Sequence, residues 1–364
     1  MSAINPIRLE LARLIGTVAS PCRATARWLI LMIGVVAAMA VALAIALGAG
    51  EAMSQQAESL PLQLERKIPL GDVRGRIDHL AVDLKRRRLF VAELGNDTVG
   101  IVDLAASDVI HRMTGLKEPQ GVGYDMSTDT LYVANAGDGS VRLFEGPDYI
   151  AKGRIDLGYD ADNIRIDSKG GHVIIGHGDG ALAIIDAATH NKVASVSLKA
   201  HPESFQIDEA TDRIFVNVPK ARAIEVVDKT SGKKIASWST AGGSANFAMA
   251  LDHVRHHLLV AFRRPAELGV FSMADGSAMA PIATCGDIDD LFVDPKRDRV
   301  YVSCGEGFLD VFAAEGASYR RIAHIASAAG ARTSLFVPEL DRLLLAVPAK
   351  AETPAAIWIF RPAP

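Results

Sequence analysis

The sequence predicts an all-β fold, a seven-bladed β-propeller of four-stranded antiparallel blades, preceded by an N-terminal transmembrane or signal helix. Three observations support this prediction. A short apolar segment, ending in Asp six times and in Pro once, recurs at intervals of 41 to 44 residues between Asp83 and Pro338. Two further segments rich in β-branched residues and a weaker fourth segment follow each copy, separated by Gly, Asp and Asn turns. Four strands per period of this length are typical of propeller blades.

The first fifty residues are predicted to be an export or anchor segment. The 23 residues between Arg27 and Glu51 carry no charge, and a helix of that length spans roughly 34 Å, enough to cross the hydrocarbon layer. Four Arg precede this run, which favours a cytoplasmic N-terminus and export of the remainder. Either a cleaved signal peptide or an uncleaved anchor fits, and the length of the run favours the anchor.

This segment predicts where the protein is located. We expect a periplasmic protein that is held in the inner membrane through residues 28–49, or secreted if the segment is cleaved. Residues 51–61 are polar and are interpreted as a linker.

The propeller itself is predicted to occupy residues 62–364. The seventh repeat ends at Pro362 and leaves no room for a fourth strand. Residues 62–70 precede the first repeat without a blade of their own, so we predict that they supply this missing outer strand and close the ring. The Asp that recurs after each first strand is predicted to bond backbone groups in its turn.

The charge balance argues against a nucleic-acid partner. The chain has 39 Lys and Arg against 43 Asp and Glu, and beyond residue 50 the balance is 35 against 42. An acidic body is a poor electrostatic match for a phosphate backbone.

One repeat carries a recognisable family motif. Residues 131–141, LYVANAGDGSV, match the Tyr-Val-Thr-Asn motif with Ala in place of Thr, and residues 88–104 and 299–312 are looser copies. Over residues 62–360 the chain resembles the YVTN-repeat, or YncE-like, family of seven-bladed β-propellers. The resemblance implies an exported or surface protein of mostly unassigned activity. Some members are labelled DNA-binding, which the acidic body disfavours here.

Polar residues at the starts of the first strands, and in the loops after the second strands, are predicted to meet around the central channel on one face. We expect a ligand-binding surface there. Its predicted residues are Arg76, Asp78, His79, Gln120, Asp162, Asn163, His177, His201, Glu203, Asn246, Arg263, Asp289 and Arg332.

Two kinds of metal site are conceivable on this surface. Converging carboxylates repel one another unless a cation, a proton or an Arg compensates them. Oxygen ligands suit Ca²⁺ or Mg²⁺, which makes Glu203, Asn246 and Asp289 candidate ligands. The alternative is that each acid caps local backbone amides or faces channel water. The three His of the surface could share a transition-metal or acid–base site, or stand apart on the rim.

Cys285 and Cys304 flank the two inner strands of the sixth repeat. An exported compartment permits a disulfide between them. A disulfide and two free thiols both remain open.

The sequence leaves two functions open and identifies no catalytic residue. Regular blades without a nucleophile–base motif or a cofactor motif favour a non-catalytic binding scaffold. Its partner would be a periplasmic protein or a small-molecule ligand at the polar face. The alternative is a divalent-metal-assisted hydrolase or lyase, similar in ligand chemistry to lactonase-type propellers, that uses the channel carboxylates.

Overall fold

The computed structural model describes residues 60–351 and 353–364. Within them, 28 strands form seven four-stranded antiparallel sheets, and two single-turn 3-10 helices lie at Leu94–Asn96 and Pro219–Ala221. This confirms the predicted all-β propeller with seven blades. No helix in these ranges is long and apolar enough to cross a membrane. The predicted leader and anchor, and the linker up to residue 59, lie outside the described residues.

Each sheet is one blade, and its strands follow one another outward from the channel. The chain begins with β1 (Leu62–Pro69). Blade 1 holds β2 (Leu80–Asp83), β3 (Arg88–Glu93), β4 (Thr98–Asp103) and β5 (Asp108–Met113). Blade 2 holds β6 (Pro119–Asp125), β7 (Thr130–Asn135), β8 (Ser140–Glu145) and β9 (Ile150–Asp156). Blade 3 holds β10 (Ala161–Asp167), β11 (His172–His177), β12 (Ala181–Asp186) and β13 (Lys192–Ser197).

The second half of the ring repeats this order. Blade 4 holds β14 (Phe205–Asp208), β15 (Arg213–Val218), β16 (Ala223–Asp228) and β17 (Lys233–Ser239). Blade 5 holds β18 (Ser244–Asp252), β19 (His257–Arg264), β20 (Ala266–Ser272) and β21 (Ile282–Ala283). Blade 6 holds β22 (Ile288–Asp294), β23 (Arg299–Cys304), β24 (Phe308–Glu315) and β25 (Ser318–Ala326). Blade 7 holds β26 (Ser334–Val337), β27 (Arg342–Val347) and β28 (Ala356–Pro362), with β1 outermost.

The core is divided among the blades. Seven clusters of buried apolar side chains are described, one between each pair of neighbouring blades. Phe90 of β3 and Leu131 of β7, for example, share the cluster between blades 1 and 2. Strands such as β7 are buried along their whole length because blades pack on both of their faces, whereas the outer strand β9 is almost entirely exposed. This explains the continuous apolar runs in the second and third strands.

The recurrent Asp closes the turn after the innermost strand. In all six blades that have one, its carboxylate accepts a backbone N–H two or three residues later, as from Arg86 to Asp83 at 3.0 Å. The same Arg86 reaches Asp129 of blade 2 with two further bonds. These turns therefore fix the inner strands and also tie neighbouring blades together.

The ring is closed by strands from the two ends of the described chain. β1 pairs antiparallel with β28, from Leu62 opposite Pro362 to Pro69 opposite Ala356. Ile68 of β1 is fully buried in the cluster between blades 7 and 1. Blade 7 thus has the same four strands as the other blades.

Candidate binding site at the channel mouth

The starts of the innermost strands surround a cavity of about 290 Å³ at one mouth of the central channel. Eleven of the thirteen residues that the sequence predicts for this face line it: Arg76, Asp78, His79, Gln120, Asp162, Asn163, His201, Glu203, Arg263, Asp289 and Arg332. Five of them lie in strands of blades 2, 3, 5 and 6, and the other six lie in the segments before β2, β14 and β26. Sequence reasoning therefore located the surface because the first strands start at equivalent points of a repeat.

Two predicted residues lie outside this cavity. Asn246 is completely buried, and its amide nitrogen donates to the side-chain oxygen of Asn217 and to the carbonyl of Ala223, both at 3.0 Å. It connects blades 4 and 5 next to an irregularity in the pairing of β18 with β19. His177, at the end of β11, is 9% exposed and also does not line the cavity. Asn246 stands six residues before the recurrent Asp252, the repeat position at which Ile77 and Ala161 are also buried, so its side chain lies between blades and not in the channel.

Sequence reasoning missed two lining residues. Lys220 belongs to a one-turn helix after β15, and Phe247 follows Asn246 in β18. Phe247 stands five residues before the recurrent Asp252, as Asp162 stands five before Asp167, so the spacing of the repeat points to it. The guanidinium of Arg263 stacks over the Phe247 ring at 3.8 Å from its centre, a cation–π contact that holds the Arg in place. Asp160 and Ser204 complete the lining.

Arginines compensate the acids of the mouth. Arg76 lies 2.6 Å from Asp78, measured from Nη2 to Oδ2. Asp289 contacts two cations, Arg263 at 2.6 Å and Arg332 at 2.9 Å. The channel mouth is therefore densely charged but close to balanced, which is how like charges can converge on one axis.

Two histidines flank Asp162. The Nε2 atoms of His79 and His201 lie 3.8 and 3.9 Å from its two carboxylate oxygens. Burial alone would raise the pKa of Asp162, but these His and Arg76 lower it below its ordinary value. Burial opposes the charge on His201 in turn, yet Asp162, the Gly178 carbonyl and Asp160 raise its pKa to about 9. This pair is consequently ionised at neutral pH.

Glu203 and Asp78 are the acids that hold a proton most readily. Burial raises the pKa of Glu203 to about 8, and the nearby charges of Asp162 and Asp289 add to the rise. Burial also raises the pKa of Asp78 well above its ordinary value and outweighs the effect of Arg76. At neutral pH, Glu203 therefore offers a hydroxyl donor rather than a charge.

The candidate metal ligands fit a divalent cation poorly. Asn246 lies outside the cavity that contains Glu203 and Asp289. Glu203 is protonated at neutral pH, and Asp289 already contacts two Arg. Among residues 60–351 and 353–364, no group of three or more His, Cys, Asp or Glu is placed to hold a metal. The donors present at this mouth instead favour hydrogen bonding.

A disulfide lies beside the mouth. Cys285 and Cys304 are joined, with Cα atoms 5.9 Å apart, across the start of β22 and the end of β23. Asp287 lies two residues beyond Cys285 and contacts Arg332 at 2.9 Å. The disulfide therefore anchors the segment from which Asp287 and Asp289 enter the site.

One buried carboxylate oxygen of the mouth, Oδ1 of Asp162, accepts no hydrogen bond from the described residues and lies 3.8 Å from Nε2 of His79. Oδ2 of Asp78 and Oδ2 of Asp289 are different, because guanidinium nitrogens of Arg76 and Arg332 lie 2.6 and 2.9 Å from them. Asp78 is 1% exposed and Asp162 is 6% exposed. Because buried polar atoms in proteins are nearly always satisfied, Oδ1 of Asp162 lacks a donor that water or a ligand would supply.

Fold and site together define a seven-bladed β-propeller with a polar, charge-balanced channel mouth. No family model matches the chain. Over 289 residues it is 24% identical to the uncharacterized protein YncE of Salmonella typhimurium and, equally, to that of Salmonella typhi, covering 69% of this chain and 81% of each relative. This weak homology and the seven blades confirm the resemblance to YncE-like propellers that the motifs indicate.

Solved structures show the same fold. A chain of the mitotic checkpoint complex superposes with a TM-score of 0.70 at 12% identity, over 82% of this chain and 91% of that one. Kuenenia stuttgartiensis hydrazine synthase superposes with a TM-score of 0.65 at 14% identity, over 80% and 95% respectively. At these identities the similarity concerns the fold alone.

Proposed function

We propose that the chain is a non-catalytic binding protein whose channel mouth receives a neutral, hydroxyl-rich group, carried by a small molecule or by a periplasmic partner protein. The proposal includes export, with residues 28–49 as the inner-membrane anchor. The supporting observation is the buried Oδ1 of Asp162, which accepts no hydrogen bond from the described residues, in a cavity of about 290 Å³ whose other acids include two that Arg side chains already compensate. A similar propeller belongs to the mitotic checkpoint complex, so this fold also occurs within a protein assembly.

The charge balance favours a neutral ligand over an ion. Asp78 and Asp289 already contact Arg76 and Arg332, and Oδ1 of Asp162 lies 3.8 Å from Nε2 of His79. A hydroxyl group can donate to the carboxylate and accept from the guanidinium at the same time. A ligand with a net charge would upset pairs that are already compensated.

Thermal stability of the full chain in detergent tests this proposal. Millimolar glucose and inositol represent hydroxyl-rich compounds, and Asp162→Asn is the test variant. Asp156→Asn, on the exposed strand β9, is the matched control. We expect a ligand-dependent rise in Tm in the wild type and the control, and its loss in Asp162→Asn.

Other results would contradict the proposal. Equal changes in Tm in the wild type, Asp156→Asn and Asp162→Asn would show that the compounds do not act through the channel mouth. A rise produced by Ca²⁺ or Mg²⁺ instead, and lost in Asp289→Asn, would favour the metal-assisted hydrolase or lyase. Fractionation of cells tests the location, since a protein found only in the cytoplasm would contradict export.

A further inference from the structure

A second cavity, of about 450 Å³, lies in the channel between the innermost strands. Aliphatic and aromatic residues such as Val82, Ile164, Met249 and Leu291 form most of its lining. It adjoins the mouth, because His79 and Ser204 line both cavities. A cavity of this size, with many apolar residues and a few polar groups, is suited to a small organic ligand.

Arg165 brings a cation into this cavity. Its guanidinium donates to the carbonyl of Ile164 at 2.9 Å, and at 3.3 Å to the side-chain oxygens of Asn163 and Ser204. It also lies over the Phe205 ring, 5.4 Å from its centre. All of these partners are neutral. No carboxylate of the described residues is recorded within ion-pair distance, so the positive charge has no direct counter-ion.

Asp290 brings an anion into the same cavity. Its Oδ2 accepts the backbone N–H of Ser334 at 2.8 Å. It forms no ion pair with any Lys, Arg or His in residues 60–351 and 353–364. Burial raises its pKa to about 6, although the charges of His79 and Arg165 oppose this rise. It therefore carries most of a negative charge at neutral pH.

Two opposite charges thus share one cavity without contacting each other. Both side chains are partly exposed to the cavity, so their charges are left to water or to a ligand and not to a protein partner. If packing were the sole requirement, Met at position 165 would fill similar space at lower cost. His79 and His253 also line this cavity, but neither contacts Arg165 or Asp290 within hydrogen-bond distance.

We propose that this inner cavity binds a small zwitterion with an apolar side chain, of the amino-acid or dipeptide class. Its carboxylate pairs with Arg165, and its ammonium group pairs with Asp290. The apolar part lies against the aliphatic lining. A planar guanidinium and a carboxylate match these two ends in charge and in hydrogen-bonding geometry. This inference is independent of the function proposed for the mouth, because it depends on a different cavity and different charges.

Three probes with similar apolar bodies test the inference on the full chain. L-leucine carries both charges, 4-methylpentanoate has the carboxylate alone, and 3-methylbutylamine has the ammonium alone. Calorimetric titration measures their affinities, and the twenty amino acids with a set of dipeptides extend the panel. We expect at least one zwitterion to bind, and its single-charge analogues to bind about tenfold more weakly or worse.

Variants separate this site from the mouth. Arg165→Met should abolish zwitterion binding, and Arg154→Met, on the exposed strand β9, should retain it. Asp162→Asn should also retain it, because that side chain belongs to the mouth. We further expect Arg165→Met to keep or raise the Tm of the ligand-free protein, since an unpaired charge is removed.

Three results would overturn the inference. The first is that no zwitterion of the panel binds. The second is that binding persists in Arg165→Met. The third is a large loss of Tm in ligand-free Arg165→Met, while the affinities of the three probes keep the same ratios as in the wild type. That result would show that Arg165 has a purely structural role.

Discussion

Replacing Ile68 by Ala tests whether β1 closes the ring. Ile68 is fully buried, lies opposite Ile357 of β28, and belongs to the cluster between blades 7 and 1. The change removes three buried carbons, worth roughly 2.4 kcal/mol at about 0.8 kcal/mol each. The cavity left behind adds about 1 kcal/mol. We therefore expect a loss of about 3–4 kcal/mol in the free energy of unfolding.

That loss converts to a measurable change in Tm. Unfolding entropy is about 2.1 cal/mol/K per residue, so for a domain of about 300 residues Tm falls by roughly 5 °C. Calorimetry of the full chain measures it. Leu64→Ala is the matched control, because Leu64 lies on the same strand and is 45% exposed. The control should stay within about 0.5 kcal/mol of the wild type.

Two outcomes would refute the closure. Equal effects of Ile68→Ala and Leu64→Ala would show that β1 does not bury the face assigned to it. An unchanged Tm after deletion of residues 62–70 would show that blade 7 is stable without its outer strand. Hydrogen exchange gives a further check, because the amides of β28 should exchange faster in Ile68→Ala.

Three more predictions follow from the site and its supports. Between pH 4.5 and about 8 the folded protein keeps a proton on Glu203 that the unfolded chain releases, so stability falls as pH rises through this window. Glu203→Gln should remove that part of the pH dependence and be more stable than the wild type above pH 8, by roughly 4–5 kcal/mol. Gly121→Ala should lower Tm, because its Cβ would overlap the backbone of β10, whereas Gly153→Ala, with open space, should not. Reduction of the disulfide between Cys285 and Cys304, 19 residues apart, should cost about 3 kcal/mol.

Each of these has a contrary result. Parallel pH–stability curves for the wild type and Glu203→Gln would show that Glu203 is ionised in the folded protein. Equal Tm values for the two Gly variants would mean that blades 2 and 3 are not closely packed at Gly121. A Tm that is insensitive to reductant, with three thiols titrated in the unfolded full chain before reduction (Cys22 being the third), would show that Cys285 and Cys304 are free.

The repeat made most of the fold predictable. Strand propensity, turn residues and the spacing of the recurrent Asp are local properties, and each blade is built from local antiparallel pairings. The surplus segment at residues 62–70 could be assigned to blade 7 because the last repeat lacks a strand. The position of the mouth followed as well, because equivalent points of a repeat lie at equivalent heights in the ring.

Irregular positions were not predictable in the same way. Asn246 was expected at the mouth, but it lies between blades 4 and 5, at the repeat position of the buried Ile77 and Ala161, whereas Phe247 one residue later holds the position of Asp162. Neighbouring residues of a strand face opposite sides, so an error of one residue moves the side chain from the channel to the space between blades. Lys220 lines the mouth from a one-turn helix that the repeat does not predict.

By itself, the sequence determined the number of blades, the order of the strands and the face on which polar groups gather, because these depend on a pattern that each repeat carries within it. The tertiary structure decided which charges meet. Arg263 and Asp289 belong to blades 5 and 6, and Arg165 and Asp290 to blades 3 and 6. The first two are paired and the second two are apart, because only ring geometry sets distances between side chains of separate blades, and those distances determine charge compensation and pKa.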